Sequence, residues 1–77
     1  MRFIFTLNMA SKAGNPVHQI IGDHPAKTLE DLVSVLIDDG VVVVDEIYRD
    51  NNSGNYYSVG PIAITSSVIG KIKTLNQ

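Results

Sequence analysis

Between Thr28 and Gly40 the sequence carries the start, the stripe and the stop of one amphipathic helix, and the stretches on either side of it read as strands. Thr28 is a capping residue with Asp31 three positions on, so the threonine oxygen can take a free backbone N–H while the acids Glu30 and Asp31 suit the positive end of the helix dipole. Leu29, Leu32, Val33 and Leu36 then fall at i, i+3, i+4 and i+7, a single apolar stripe, with Glu30, Asp31, Ser34 and Asp38 facing away. Gly40 ends the helix in the left-handed conformation common at C-termini. A helix this short draws its stability from packing its stripe, and strands on both sides supply a sheet to pack on.

The flanking strands follow from period-two alternation and turn chemistry. Phe3, Phe5 and Leu7 alternate with Arg2, Thr6 and Asn8, which puts both phenylalanines on one face of a first strand. Ser11 to Pro16 gathers turn formers, and Val17 to Gly22 reads as a second strand, antiparallel to the first. After the helix, Val41 to Val44 is a β-branched run with no polar alternate, the pattern of a strand buried on both faces at a sheet centre. Asp45 to Arg49 continues it as an amphipathic half projecting beyond the helix. Asp50-Asn51-Asn52-Ser53-Gly54 reverses the chain into a return strand from Asn55, which Gly60-Pro61 interrupts and so marks as an edge or bulge. Thr65-Ser66-Ser67 makes a short turn, and Val68 to Lys73 reads as a last strand, with a short helix as the alternative that Gly70 disfavours. The expectation is one α+β domain spanning 1–77: a five-stranded, mainly antiparallel sheet in the order β-β-α-β-β-β with the helix on one face.

Length limits how such a chain is held together. Seventy-seven residues support one core, and a core of this size rarely supplies more than about 3–5 kcal/mol. The chain has no cysteine, so no disulfide helps, and two histidines are too few for the usual structural zinc site. A partner subunit is the remaining route, and one helix leaves much of a five-stranded sheet bare; a homodimer is therefore expected. The apolar start is broken by Thr6 and Asn8, which reads as a strand rather than a leader, and no stretch approaches the ~20 apolar residues of a membrane span. A cytoplasmic chain without membrane contact is expected.

Charge is unevenly placed although the net value is only −2. All eight acids lie between Asp23 and Asp50, opposed there only by Lys27 and Arg49, while Arg2, Lys12, Lys71 and Lys73 are the charges of the two flanks. That is either a solvated polar surface or an acidic patch for a basic partner.

Motifs with chemistry are sparse. His18, Asp23 and His24 form the one grouping that resembles a proton-transfer or metal site, but on a straight strand a separation of six residues means about 20 Å. Neither a serine-nucleophile elbow nor a phosphate-cradling glycine loop occurs. No catalytic residue, metal or cofactor is expected. Tyr48, Tyr56 and Tyr57 gather around the one hairpin beside Asp45 and Glu46. Tyrosine joins large contact area to a polar tip, so these five residues are the candidate protein-binding surface, with Tyr48 lying near Tyr56 or Tyr57. The function expected is a small non-enzymatic protein-binding module, of the regulatory or inhibitory kind that phages and mobile elements carry as accessory proteins. The alternative is a nucleic-acid-binding regulator that uses the basic terminal strands.

Overall fold

The computed structural model describes residues 1–8 and 18–75. Within them the chain runs β1 (Arg2–Leu7), β2 (His18–Asp23), α1 (Leu29–Asp39), β3 (Val41–Arg49), β4 (Tyr56–Thr65), a single 3₁₀ turn at Ser66–Val68, and β5 (Ile69–Thr74). The strands form one sheet in the spatial order β4-β3-β2-β1-β5, every neighbouring pair antiparallel. The architecture is the α+β sheet with one helix that the residue pattern predicts, and the last segment is a strand. The expected turn at 11–16, with Val17 and Lys12, lies outside the described residues.

Local chemistry sets the helix. Thr28 has extended backbone, its Oγ1 accepts from the Asp31 N–H at 3.1 Å, and Gly40 adopts φ 72° while its N–H donates to the Leu36 carbonyl. Leu32 and Leu36 are buried, and Leu29 and Val35 pack partly against the core. Val33, by contrast, sits at the margin and Ile37 is largely exposed. The stripe that touches the sheet therefore runs through 29, 32, 35 and 36, rotated from the expected one.

Alternation assigns each strand residue to the helix face or the open face of the sheet. On the helix face lie Phe3, Phe5 and Leu7 of β1, Ile20 of β2, Val42 and Val44 of β3, and Ile64 of β4, all buried, and together with Leu32 and Leu36 they are the core. The valine run corrects one expectation: Val42 and Val44 are 2% exposed but Val43 is 58% exposed. β3 is second from the edge, the open face bears no helix, and four valines in a row conceal an ordinary alternation. Gly22 of the central strand β2 is shaped by this packing, for the Val44 side chain occupies the space where a Gly22 Cβ would project.

Both outer strands carry irregularities. In β4 the register shifts between Glu46↔Gly60 and Ile47↔Ser58, leaving Val59 as an extra residue beside Gly60, whose φ is 113°. Pro61 follows, tolerated because β4 is an edge. In β5 the shift falls between Thr6↔Lys71 and Leu7↔Ile69, with Gly70 the extra residue.

Candidate functional site

The β3–β4 hairpin holds all five residues of the expected surface, Asp45 and Glu46 where β3 pairs with β2 and the three tyrosines nearer the turn. Its turn is organised by Asp50. The Asp50 carboxylate accepts from the Asn52 N–H at 3.0 Å and from the Ser53 hydroxyl at 3.0 Å, and the Gly54 N–H closes on the Asp50 carbonyl at 2.7 Å. The Asn52 N–H, then the Ser53 hydroxyl, hold the Asp50 carboxyl below the ordinary carboxylate range. Gly54 has φ 75°, a conformation its lack of a Cβ permits. These local bonds fix the ends of both strands, and with them the tyrosines next to the turn.

Tyr48 and Tyr57 are register partners, their rings 6.2 Å apart at 75°, an edge-to-face pair with each residue about half exposed. The bulge at Val59 makes this pair. Had the ladder run on from Glu46↔Gly60 without a shift, Tyr48 would face Ser58; the extra residue advances β4 by one and brings Tyr57 opposite. Tyr57 is thus the neighbour of Tyr48, and both project on the helix side of the sheet, as does Glu46.

Tyr56 and Asp45 point the other way, to the open face. The Arg2 guanidinium lies over the Tyr56 ring at 5.2 Å. Arg2 also reaches Asp23 with both ends of its fork, Nε to Oδ1 at 2.7 Å and an Nη to Oδ2 at 3.1 Å. That charge-assisted bond is the main reason the Asp23 carboxyl titrates below its ordinary range and Arg2 above its own. Asp23 and Asp45 are direct cross-strand partners, and Asp45 accepts from the Ser58 hydroxyl at 2.7 Å. On the same helix-free face Ile47, the register partner of Ile21, is only 4% exposed.

The structure therefore divides the expected surface in two: Glu46, Tyr48 and Tyr57 on the helix side, Asp45 and Tyr56 on the open side. Adjacent residues of a strand cannot share a face, so the acids do not rim one aromatic centre together. Sequence reasoning missed Arg2, Asp23 and Ser58 as members of the open-face network. The signal existed in the antiparallel pairing of the first two strands, which sets Arg2 against Asp23.

The basic termini do converge. β1 and β5 pair so that Lys71 stands opposite Thr6 and Lys73 opposite Ile4, on the same open face as Arg2. The histidines do not: His18 is exposed at the start of β2, and the Nδ1 of His24 accepts from the Ala26 N–H at 3.0 Å in the loop before the helix. Among the described residues no three His, Asp or Glu side chains gather as a metal set, and no helix is long and apolar enough to cross a membrane. Compared with protein-family models, with curated proteins and with solved structures, the chain matches none.

Proposed function

We propose that this chain is a non-enzymatic protein-binding module whose contact surface is centred on Tyr48 and Tyr57. The observation that carries the reading is the aromatic pair itself: two rings edge to face, half exposed, on a hairpin whose turn is held by Asp50. Such a pair offers a partner broad, rigid contact area whose ordering cost is already met in the free protein. Glu46 on the same side adds a negative edge, which favours a basic partner surface. Regulation or inhibition of that partner by occupying its surface is the mode of action we propose, and small size with a lack of catalytic motifs is what suggests an accessory protein of a phage or mobile element.

The test compares the tagged chain with its Tyr48→Ala/Tyr57→Ala variant as bait in extract of its native host. The reading requires a protein retained in stoichiometric amount by the parent and lost with the variant, both baits keeping the same circular dichroism spectrum. Equal retention by both baits would sink it. A second reading has one observation in its favour, the convergence of Arg2, Lys71 and Lys73 on the open face of β1 and β5, and would make the partner nucleic acid. Retention of nucleic acid that is lost with Lys71→Ala/Lys73→Ala decides for it. A homodimer is proposed alongside, on the exposure of Val43 on the open face; sedimentation at the monomer mass over micromolar concentrations would rule it out.

A further inference from the structure

The sheet ends in two edge strands that differ in kind. β4 is a poor template for another strand, because its ladder is broken by the Val59–Gly60 bulge and Pro61 has no N–H. β5 is a better one. The Leu75 N–H donates to the Arg2 carbonyl at 2.8 Å, so by the alternation of an antiparallel ladder Lys73 and Lys71 also bond to β1, while the N–H and C=O groups of Ile72 and Thr74 point outward. Beside this edge runs a groove of about 330 Å³ between α1 and β5, lined by Leu29, Val33 and Leu36 on one wall and Ser66, Ile69 and Ile72 on the other. An edge strand next to a helix, with an apolar groove between them, is the anatomy that receives an extended peptide by strand addition.

Charge says which peptide. A strand added to β5 alternates its side chains between the groove and the open face. On the groove side it meets leucine, isoleucine and valine, with Ser66 and Lys71 at the margin; strand alternation puts Lys71 and Lys73 on the open side. A second copy of β5 laid antiparallel here would set lysines against lysines, which opposes self-pairing. We propose that the β5 edge and the α1 groove bind an extended segment of a protein partner in which apolar residues alternate with acidic ones. This surface lies at the opposite edge of the sheet from the Tyr48–Tyr57 hairpin and stands independently of it.

The probe is an acetylated, amidated seven-residue peptide alternating isoleucine with glutamate, beside a twin with lysine in place of glutamate, titrated into the full chain by calorimetry. Two cross-strand charge pairs, attractive in one case and repulsive in the other, make the glutamate peptide about tenfold the tighter. Lys71→Glu/Lys73→Glu reverses the order of the twins, and Val33→Asp weakens both. Amide exchange at Ile72 and Thr74 slows when the glutamate peptide is present, and Tyr48→Ala/Tyr57→Ala leaves its affinity unchanged. The proposal fails if neither peptide binds, if the twins bind equally, or if the slowed amides are those of the hairpin. It fails also if the chain sediments as a dimer whose Ile72 and Thr74 amides are slowed without peptide.

Discussion

Replacing Gly22 with alanine should be far more damaging than an added methyl suggests. Gly22 lies on the central strand, facing the helix, between Phe3 of β1 and Glu46 of β3. A Cβ there would fall on Val44 Cγ2 and within 2.8 Å of Val44 Cβ, against an optimum of about 3.5–4.0 Å between carbons. Val44 is itself 2% exposed and packed in the core, so it has no empty rotamer to enter. The backbone cannot yield easily either, because β2 is paired on both sides. Overpacking of this kind costs about 1–3 kcal/mol, and the double contact against a fixed strand places Gly22→Ala near the top, about 3 kcal/mol. At roughly 4–8 °C per kcal/mol for a domain of this size, Tm falls by roughly 12–24 °C.

Gly70→Ala supplies the control. Its Cβ would meet nothing closer than the Thr6 carbonyl oxygen at 3.5 Å, an ordinary contact. Lowering the entropy of the unfolded chain then stabilises by up to about 1 kcal/mol. Thermal melts by circular dichroism decide the matter. The Val44→Ala background sharpens it: the Cγ2 contact is gone and the Cβ contact stays, so Gly22→Ala should cost about 1 kcal/mol less there than in the parent. If Gly22→Ala melts within 2 °C of the parent, or if Gly22→Ala and Val44→Ala add without coupling, β2 and β3 are not in the register described.

Other consequences are simpler to test. Thr28→Ala removes the acceptor for the Asp31 N–H and should cost about 1 kcal/mol in denaturant unfolding, whereas Leu32→Ala empties a fully buried site and should cost about 3 kcal/mol. The Asp23 carboxyl is held low by Arg2, so the pair stabilises the fold above the unfolded aspartate pKa, about 3.9, and loses its effect as pH falls through the lower folded value. Asp23→Asn should therefore melt below the parent at pH 7 and converge with it near pH 2; a gap of equal size at both would refute the pairing. Gly60→Ala has space for its Cβ but must hold φ 113°, at about 1–3 kcal/mol of strain. Relief of that strain would slip the bulge, and the near-ultraviolet tyrosine signal of the parent should weaken in the variant.

What could be read from residue order divides by the range of the interaction. The cap at Thr28, the stop at Gly40 and the Asp50 turn depend on groups within a few positions, and each is found where its chemistry puts it. The core residues Phe3, Phe5, Leu32 and Leu36 follow from periods of two and 3.6. Val41 to Val44 defeated the same method because a uniform run has no visible period; only the helix-free face beside Val43 shows that the strand is half solvated. Val33 was misplaced by one step around the helix, since the stripe records which residues are apolar and the docking angle decides which of them touch. Arg2 and Asp23 needed the exact register of the first two strands, beyond their antiparallel pairing, and Ser58 needed the position of the bulge, which no local pattern carries.

Strand alternation divides the hairpin into two surfaces, and the extra residue at Val59 decides which tyrosine falls on which side. Proline at 61 and glycine at 60 signal an interrupted strand, but whether the interruption ends the strand or adds a residue to it depends on pairing with β3. Here the ladder resumes beyond the bulge, at Ile47↔Ser58, and every residue toward the turn changes face. Without that step Tyr48 would face Ser58, and Tyr57 would stand opposite Arg49 on the open face, the place Tyr56 holds now. The bulge therefore gives the helix side its direct Tyr48–Tyr57 pair and sets Tyr56, rather than Tyr57, beneath the Arg2 guanidinium on the open side.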